Sequence, residues 1–322
     1  MMSMKWIGVC FMLNSKLRKI HYIVIRNIRN NMTSQDWKNK GNFITVYDRN
    51  LFVIDSKDTR SSAMENRQET LVILHGYPTS SYDYHKVLPE LSKHYRVIIH
   101  DHLGFGFSDK PLDYSYSLIE QADVALQLWK QLGLTNVTVL AHDYGTSIAT
   151  EILARHNKQQ INLQIDKLIL CNGSMHIELS KLRTIQKLLK NKFTGKWVAK
   201  LTSYSIFKKN LRSVYFDKAQ ATEDELKEMW FQLEHNNGRK VIHLLSNYIN
   251  ERYFFWHRWI GALKETQIPT KIVWAKNDPV AVAAIANLLT TEIPNNNLFW
   301  IDECGHFPML EKPEEWIKLI FK

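Results

Sequence analysis

The chain has 322 residues, 45% hydrophobic and 23% charged, with 12 Gly and 8 Pro. This is the composition of an ordinary globular protein and excludes collagen-like and low-complexity chains. The net charge is +10, but the first 35 residues hold six Lys/Arg and no acid, which leaves 36 bases against 32 acids in the remainder. No zinc-finger, helix-turn-helix or RNP pattern accompanies that charge, so a nucleic-acid partner is not expected.

The three cysteines, Cys10, Cys171 and Cys304, are too widely spaced for a disulfide framework or a CxxC metal site. An intracellular location is therefore the expectation, and no metal or other cofactor is called for. Trp6 to Leu13 is apolar but too short to cross a bilayer. The basic stretch 1–35 reads in three ways. It is an extension from an over-long start, with translation beginning at Met32, a targeting or membrane-surface segment resembling a mitochondrial presequence, or a structured part of the protein. The fold is expected to begin near Asp36.

Taken in chain order, Asn42–Tyr47 and Leu51–Asp55 read as an opening strand pair. Leu71–Leu74 and Val97–His100 are short apolar runs suited to buried parallel strands, with a helix expected over Ser81–His94 between them. Ser117–Leu132 puts Leu118, Ala122, Ala125, Leu126 and Trp129 on one helical face. Val137–Ala141 is a strand running straight into a helix over Gly145–Arg155, and Ile165–Cys171 is a further strand. From 174 to 265 no strand signal appears, only helical stretches. Alternation returns with Lys271–Ala275 and Leu298–Ile301 and closes on a helix over Pro313–Phe321. Alternation of this kind predicts an α/β fold: a mostly parallel sheet with helices on both faces. The core is then 36–173 and 266–322, and 174–265 is an inserted helical lid over the carboxyl ends of the strands.

Four motifs carry chemistry. In Val137-Thr-Val-Leu-Ala-His-Asp143-Tyr-Gly-Thr, a strand ends in a sharp turn and a helix starts at once. Ala141 and Gly145 are the small flanks of a nucleophile elbow whose central residue is Asp143. The competing reading makes Asp143 an N-cap. In Leu74-His-Gly-Tyr-Pro-Thr, the loop after a strand offers one oxyanion N–H, that of Tyr77, while the residue after the nucleophile, Tyr144, offers the other. Asp278 lies three residues past a buried strand, and His306 lies on the loop after the last one. The order nucleophile, acid, His is the order an α/β-hydrolase requires. Asp101-His-Leu-Gly-Phe-Gly-Phe-Ser lacks both the G-x-G-x-x-G spacing and the Lys-Ser/Thr of a phosphate loop, so it reads as a structural turn.

With His75-Gly-Tyr-Pro-Thr-Ser-Ser-Tyr-Asp, Asp101-His-Leu-Gly-Phe-Gly-Phe-Ser-Asp-Lys-Pro, Ala141-His-Asp-Tyr-Gly and Tyr248-Ile-Asn-Glu-Arg, the chain from 36 onward resembles the α/β-hydrolases of the haloalkane dehalogenase and epoxide hydrolase group, and within it the mesoderm-specific transcript branch. The resemblance implies an α/β-hydrolase fold with a helical lid and an aspartate nucleophile forming a covalent alkyl ester. It also implies a small apolar or lipid-like substrate and, for this branch, the endoplasmic reticulum membrane. Tyr144 stands where dehalogenases of the group carry Trp, and Tyr248 matches a lid tyrosine of epoxide hydrolases, so epoxide opening is expected ahead of dehalogenation. Tyr204 and Tyr215 are candidates for a second lid tyrosine. A non-catalytic binding protein on the same fold is the reading from another class. An ester hydrolase using Ser147 is disfavoured, because Ser147 lies a turn past the elbow.

Lys181 to Arg212 holds ten Lys/Arg and no acid. Leu182, Ile185, Leu188 and Leu189, then Trp197, Val198 and Leu201, recur at helical spacing. A basic amphipathic helix of this kind predicts peripheral contact between the lid and a membrane surface.

Overall fold

The computed structural model describes residues 32–59 and 69–322, and the expectations for the basic extension fall almost wholly outside them. Ser34–Lys322 forms one compact unit. Its described residues form eight strands: β1 (Asn42–Val46), β2 (Arg49–Asp55), β3 (Thr70–Leu74), β4 (Arg96–His100), β5 (Asn136–His142), β6 (Gln164–Cys171), β7 (Thr270–Ala275) and β8 (Asn296–Ile301). They form one sheet in the order β1-β2-β4-β3-β5-β6-β7-β8. β2 is antiparallel to β1 and β4, and all other neighbours are parallel. Tyr47 and Asp48, at φ 47° and 62°, make the two-residue turn that closes the opening hairpin.

Interior strands are continuous apolar runs because both of their faces are covered. Leu71, Val72, Ile73 and Leu74 are all fully buried, as are Ile272, Val273, Trp274 and Ala275. Burying side chains of this size is worth about 1.5–3 kcal/mol each. The helix Leu118–Gln131 starts at Ser117, whose side chain accepts from the Ile119 N–H. It buries Leu118, Ala122, Ala125 and Trp129, with Val124 and Leu128 beside them, and leaves Leu126 half-buried.

Two expected helices are divided. Over Ser81–His94 there is a 3₁₀ turn, Ser81–Tyr84, and then a helix, Leu88–His94. Pro89 has no N–H to give and is accommodated only in a first turn, so the helix has to start at its doorstep. The basic stretch from Lys181 is likewise not one helix but three: Thr184–Leu189, Gly195–Leu201 and Tyr204–Arg212. Between the first two, Asn191 Oδ1 accepts from the Phe193 and Thr194 N–H groups at 2.9 and 3.2 Å. That local turn replaces the helical ladder.

The chain places its site by topology. β3 leads to β4 on one side, whereas β5 lies on the other side of β3. Loops leaving the carboxyl ends of β3 and β5 therefore diverge and leave a crevice. The segments following β3, β5, β6, β7 and β8 carry Tyr77, Asp143, Asn172, Asp278 and His306 in turn.

Candidate active site

Asp143 sits between β5 and the helix Tyr144–Asn157 with φ 43° and ψ −106°. A non-glycine residue here is strained, and such strain persists only where the surroundings over-determine it. Two contacts do so. A Cβ on Gly145 would run into the Leu74 carbonyl, and one on Gly76 would press on His142 and Asp143. Both glycines thus permit the close approach of β3 and β5 that the elbow needs. Although Asp143 occupies the N-cap position, its carboxylate makes no capping bond. It accepts instead from the Tyr77 N–H at 3.0 Å.

The imidazole comes from the other end of the sheet. His306 Nε2 lies 3.9 Å from Asp143 Oδ2. On its far side, Nδ1–H donates to Asp278 Oδ2 at 2.6 Å. Asp278 is held in turn by Asn172 Nδ2 at 2.8 Å and by the Val280 and Ala281 N–H groups at 2.7 and 3.0 Å. Asn172 also accepts from the Ala275 N–H at 3.0 Å, fixing the β6 and β7 ends together. His142 Nε2–H reaches the His306 carbonyl at 2.8 Å, and burial pulls the pKa of its ring down to about 4, so it serves as a neutral strut.

Charge is concentrated on this line. Burial alone would raise the Asp143 pKa, but the hydrogen bond and charge of His306, together with Arg252, outweigh it and hold the carboxyl well below the usual range. Burial alone would lower that of His306, but Asp278 and Asp143 outweigh it and lift the imidazole to about 10. The resting pair at neutral pH is therefore carboxylate and imidazolium. Tyr144 opens its helix, so its N–H has no acceptor within that helix. It is the second donor, beside the Tyr77 N–H, that the sequence motif points to.

Arg252 is the residue that motif reading passed over. It is buried, arrives from the helix Tyr248–Phe254, and donates Nη2–H to the Asp143 carbonyl at 2.9 Å and Nε–H to Ser147 Oγ at 2.7 Å. Its Nη2 is 3.8 Å from Asp143 Oδ1, and its guanidinium lies 4.6 Å from the Tyr248 ring centroid. Buried charge is retained only where it is paired. Full enclosure against the elbow marks Arg252 out in the structure, whereas in the sequence it only ends the Tyr248-Ile-Asn-Glu-Arg motif, 109 residues from its partner. Ser147 is thereby occupied as an acceptor for Arg252 and does not face the cavity.

Above Asp143 is a cavity of about 90 Å³. Tyr77, Pro78, Asp143, Val280, His306 and Phe307 form its strand-end wall, and Ile185, Leu189, Ile206, Phe207, Leu211, Val214 and Ile242 its helical wall, with Arg183, Gln186, Thr202 and Asn210 as polar members. Tyr248, expected against substrate, is not part of this lining. Its ring packs 5.3 Å from both Tyr77 and Tyr144, and its hydroxyl accepts from Gln186 Nε2 at 3.1 Å, so it backs the wall. Tyr204 and Tyr215 are not in the lining either. The Tyr204 hydroxyl donates to Glu223 Oε1 at 2.7 Å, and Tyr215 stacks on Phe307. The Asp101 loop is a structural turn: its carboxylate accepts from the Ser81 and Phe107 N–H groups at 2.8 and 2.7 Å.

The sequence profile of the alpha/beta hydrolase fold matches residues 69–313. The chain is 36% identical over 284 residues to the mesoderm-specific transcript protein of Mus musculus, covering 86% of this chain and 83% of that one. Among solved structures it is similar to haloalkane dehalogenase DbeA from Bradyrhizobium elkani USDA94, with TM-score 0.73, 17% identity and coverage of 87% of this chain and 95% of that one. It is also similar to the epoxide hydrolase CorEH, with TM-score 0.69, 18% identity and coverage of 87% and 96%. Fold, strand-end chemistry and these likenesses agree, and the chain belongs to the α/β-hydrolase family.

Proposed function

We propose that this protein is an aspartate-nucleophile hydrolase that opens an epoxide on a narrow apolar or lipid-derived chain. The observation that carries this reading is Asp143, held ionised at a positive-φ elbow, 3.9 Å from the imidazole His306. A carboxylate attacks an sp³ carbon well, and the ester it forms is hydrolysed in a second step.

In the first step an Asp143 oxygen bonds to a ring carbon, the ring C–O bond breaks, and the departing oxygen takes a proton. Tyr77 lines the cavity and its hydroxyl shares a hydrogen bond of 2.8 Å with Ser246 Oγ, so it is the proposed proton donor. Esterification removes the negative charge of Asp143. His306 then loses one of the two carboxylates that raise its pKa, gives up its proton to restore Tyr77, and becomes a base. It takes a proton from the water that attacks the Asp143 carbonyl carbon, while the Tyr77 and Tyr144 N–H groups hold the oxyanion, an effect of roughly 3 kcal/mol per donor in comparable sites. As the diol leaves, the proton returns from His306 to the departing alkoxide. The carboxylic acid left on Asp143 then passes its own proton to His306 and restores the resting pair.

The epoxide is favoured over the halide because the residue after Asp143 offers no indole N–H. Tyr144 packs its ring on Phe105 at 5.1 Å. Steady-state assays with epoxides, haloalkanes and acyl esters, run beside Asp143→Asn, test the reading. Epoxide turnover that vanishes in the variant supports it. Haloalkane turnover would move the assignment to dehalogenation, and acyl-ester turnover surviving in the variant would sink the aspartate mechanism.

A further inference from the structure

The helix Gly195–Leu201 turns only Gly195 and Ala199 fully inward. Phe193, Trp197 and Leu201, spaced four apart, form an outward ridge exposed to 88%, 66% and 71%. Lys192, Lys196 and Lys200, also spaced four apart and all exposed, run beside it. Within the helix, Trp197 lies one turn below Leu201 and Lys196 one turn below Lys200, and Phe193 and Lys192 extend the apolar and cationic rows from the turn that precedes it. Leu112, 64% exposed and in one groove with Trp197, widens the apolar row. Lys196, Trp197 and Lys200 share a groove with Leu112 and Lys240. None of Lys187, Lys192, Lys196, Lys200 and Lys240 forms an ion pair among the described residues, unlike Lys208 and Arg212 further along, which pair with Glu223.

Such a face is costly to leave in water. Contiguous apolar surface rimmed by polar groups marks a docking site, and an aromatic–aliphatic ridge between rows of lysine has the chemistry of the interface of an anionic bilayer. We infer that this face docks on a membrane containing anionic lipid, with Phe193, Trp197 and Leu201 entering the headgroup–acyl boundary and the lysines meeting the lipid phosphates and carboxylates. A nucleic acid would satisfy the lysines but leave the leucines in water. The consequence for the cavity is direct. Leu189 and Thr202, at the two ends of this segment, line it. Docking therefore brings two members of the helical wall of the cavity close to the bilayer surface. The proposal itself rests on no step of the catalytic reading, since vesicle binding is measured without turnover.

The test is flotation of the full-length protein with phosphatidylcholine vesicles, with and without phosphatidylserine, at low and high salt. Binding is expected only with phosphatidylserine, weakened by salt. Lys192→Glu/Lys196→Glu/Lys200→Glu should weaken it on the order of 100-fold or more. Phe193→Ser/Trp197→Ser/Leu201→Ser should weaken it at least about tenfold. Asp143→Asn should bind as wild type does, which separates this face from the chemistry. All six surface positions are exposed, and a circular-dichroism melt verifies that the variants fold. No binding to anionic vesicles at low salt would overturn the proposal. So would equal binding to neutral vesicles, binding indifferent to both triple variants, or retention by DNA in place of lipid.

Discussion

On the strand-end side of the cavity, charge is paired and held by backbone. Asp278 accepts three hydrogen bonds besides that of His306, Arg252 spans Asp143 and Ser147, and Glu151 is enclosed by Arg155, Arg258 and Trp259 at 2.7–2.9 Å. On the helical side the lysines from 187 to 200 form no ion pair among the described residues, and large apolar side chains stand in solvent. The first wall is suited to holding reacting groups to a fraction of an ångström. The second is suited to adapting, to substrate on its inner face and to a surface on its outer one. Chemistry would then be fixed by the sheet and selection left to the helices, a division that substitutions can break or sharpen.

The largest effect is expected from the strand-end wall. Asp143→Asn should lower turnover by on the order of 10⁴-fold or more, measured by product formation, as loss of one member of a catalytic unit does. Arg252→Lys keeps the charge but loses the planar fork that reaches two acceptors. It should reduce kcat by roughly 100-fold with little change in KM, since small misplacements of reacting groups cost that much. If kcat is unchanged, Arg252 is only packing.

Next comes stability. Glu151 ties the helix that follows the elbow to the helix Trp256–Glu265. Glu151→Ala should destabilise the fold by about 1–3 kcal/mol in denaturant titration, because the half-buried Arg258 loses its ion pair, the buried Trp259 indole loses its acceptor, and Arg155 keeps only Asp123. The pH dependence has a definite sign. His306 titrates near 10 in the folded protein, above its usual 6.5. Its contribution to stability is therefore complete below about pH 6.5 and fades as pH rises through about 10. The difference in Tm between wild type and His306→Gln should accordingly shrink across that interval.

The smallest effect is expected behind the helical wall. Tyr248→Phe removes a hydroxyl that meets Gln186 and not the cavity, so it should cost about 1 kcal/mol of stability or less and change kcat/KM by under about threefold. A loss of kcat approaching 100-fold would restore Tyr248 as a proton donor to substrate.

Much of the strand-end wall is legible in the sequence, because each candidate residue sits a few positions past a short apolar run. That rule points to Asp143, Asp278 and His306, and the Gly-Tyr-Pro loop after β3 points to Tyr77. Arg252 lies outside it, on a helix with no marking period, and Asn172, though it directly follows β6, acts only by supporting Asp278. The helical segment was read less well for a local reason. The spacing from Leu182 to Leu201 fits one helix, but the Asn191 side chain captures two backbone N–H groups and ends it. The break then turns Phe193, Trp197 and Leu201 outward. Tyr248 was assigned from a match of position, and position does not reveal which side of Gln186 a ring occupies.

The central claim is the covalent ester, and mass spectrometry of His306→Gln incubated with a panel of epoxides tests it most directly. With the base removed, the first step should proceed and the second stall. The intact protein should gain the mass of one epoxide, and fragmentation should put that mass on Asp143. Unmodified protein across the panel, or an adduct on Ser147 or any other residue, would contradict the account.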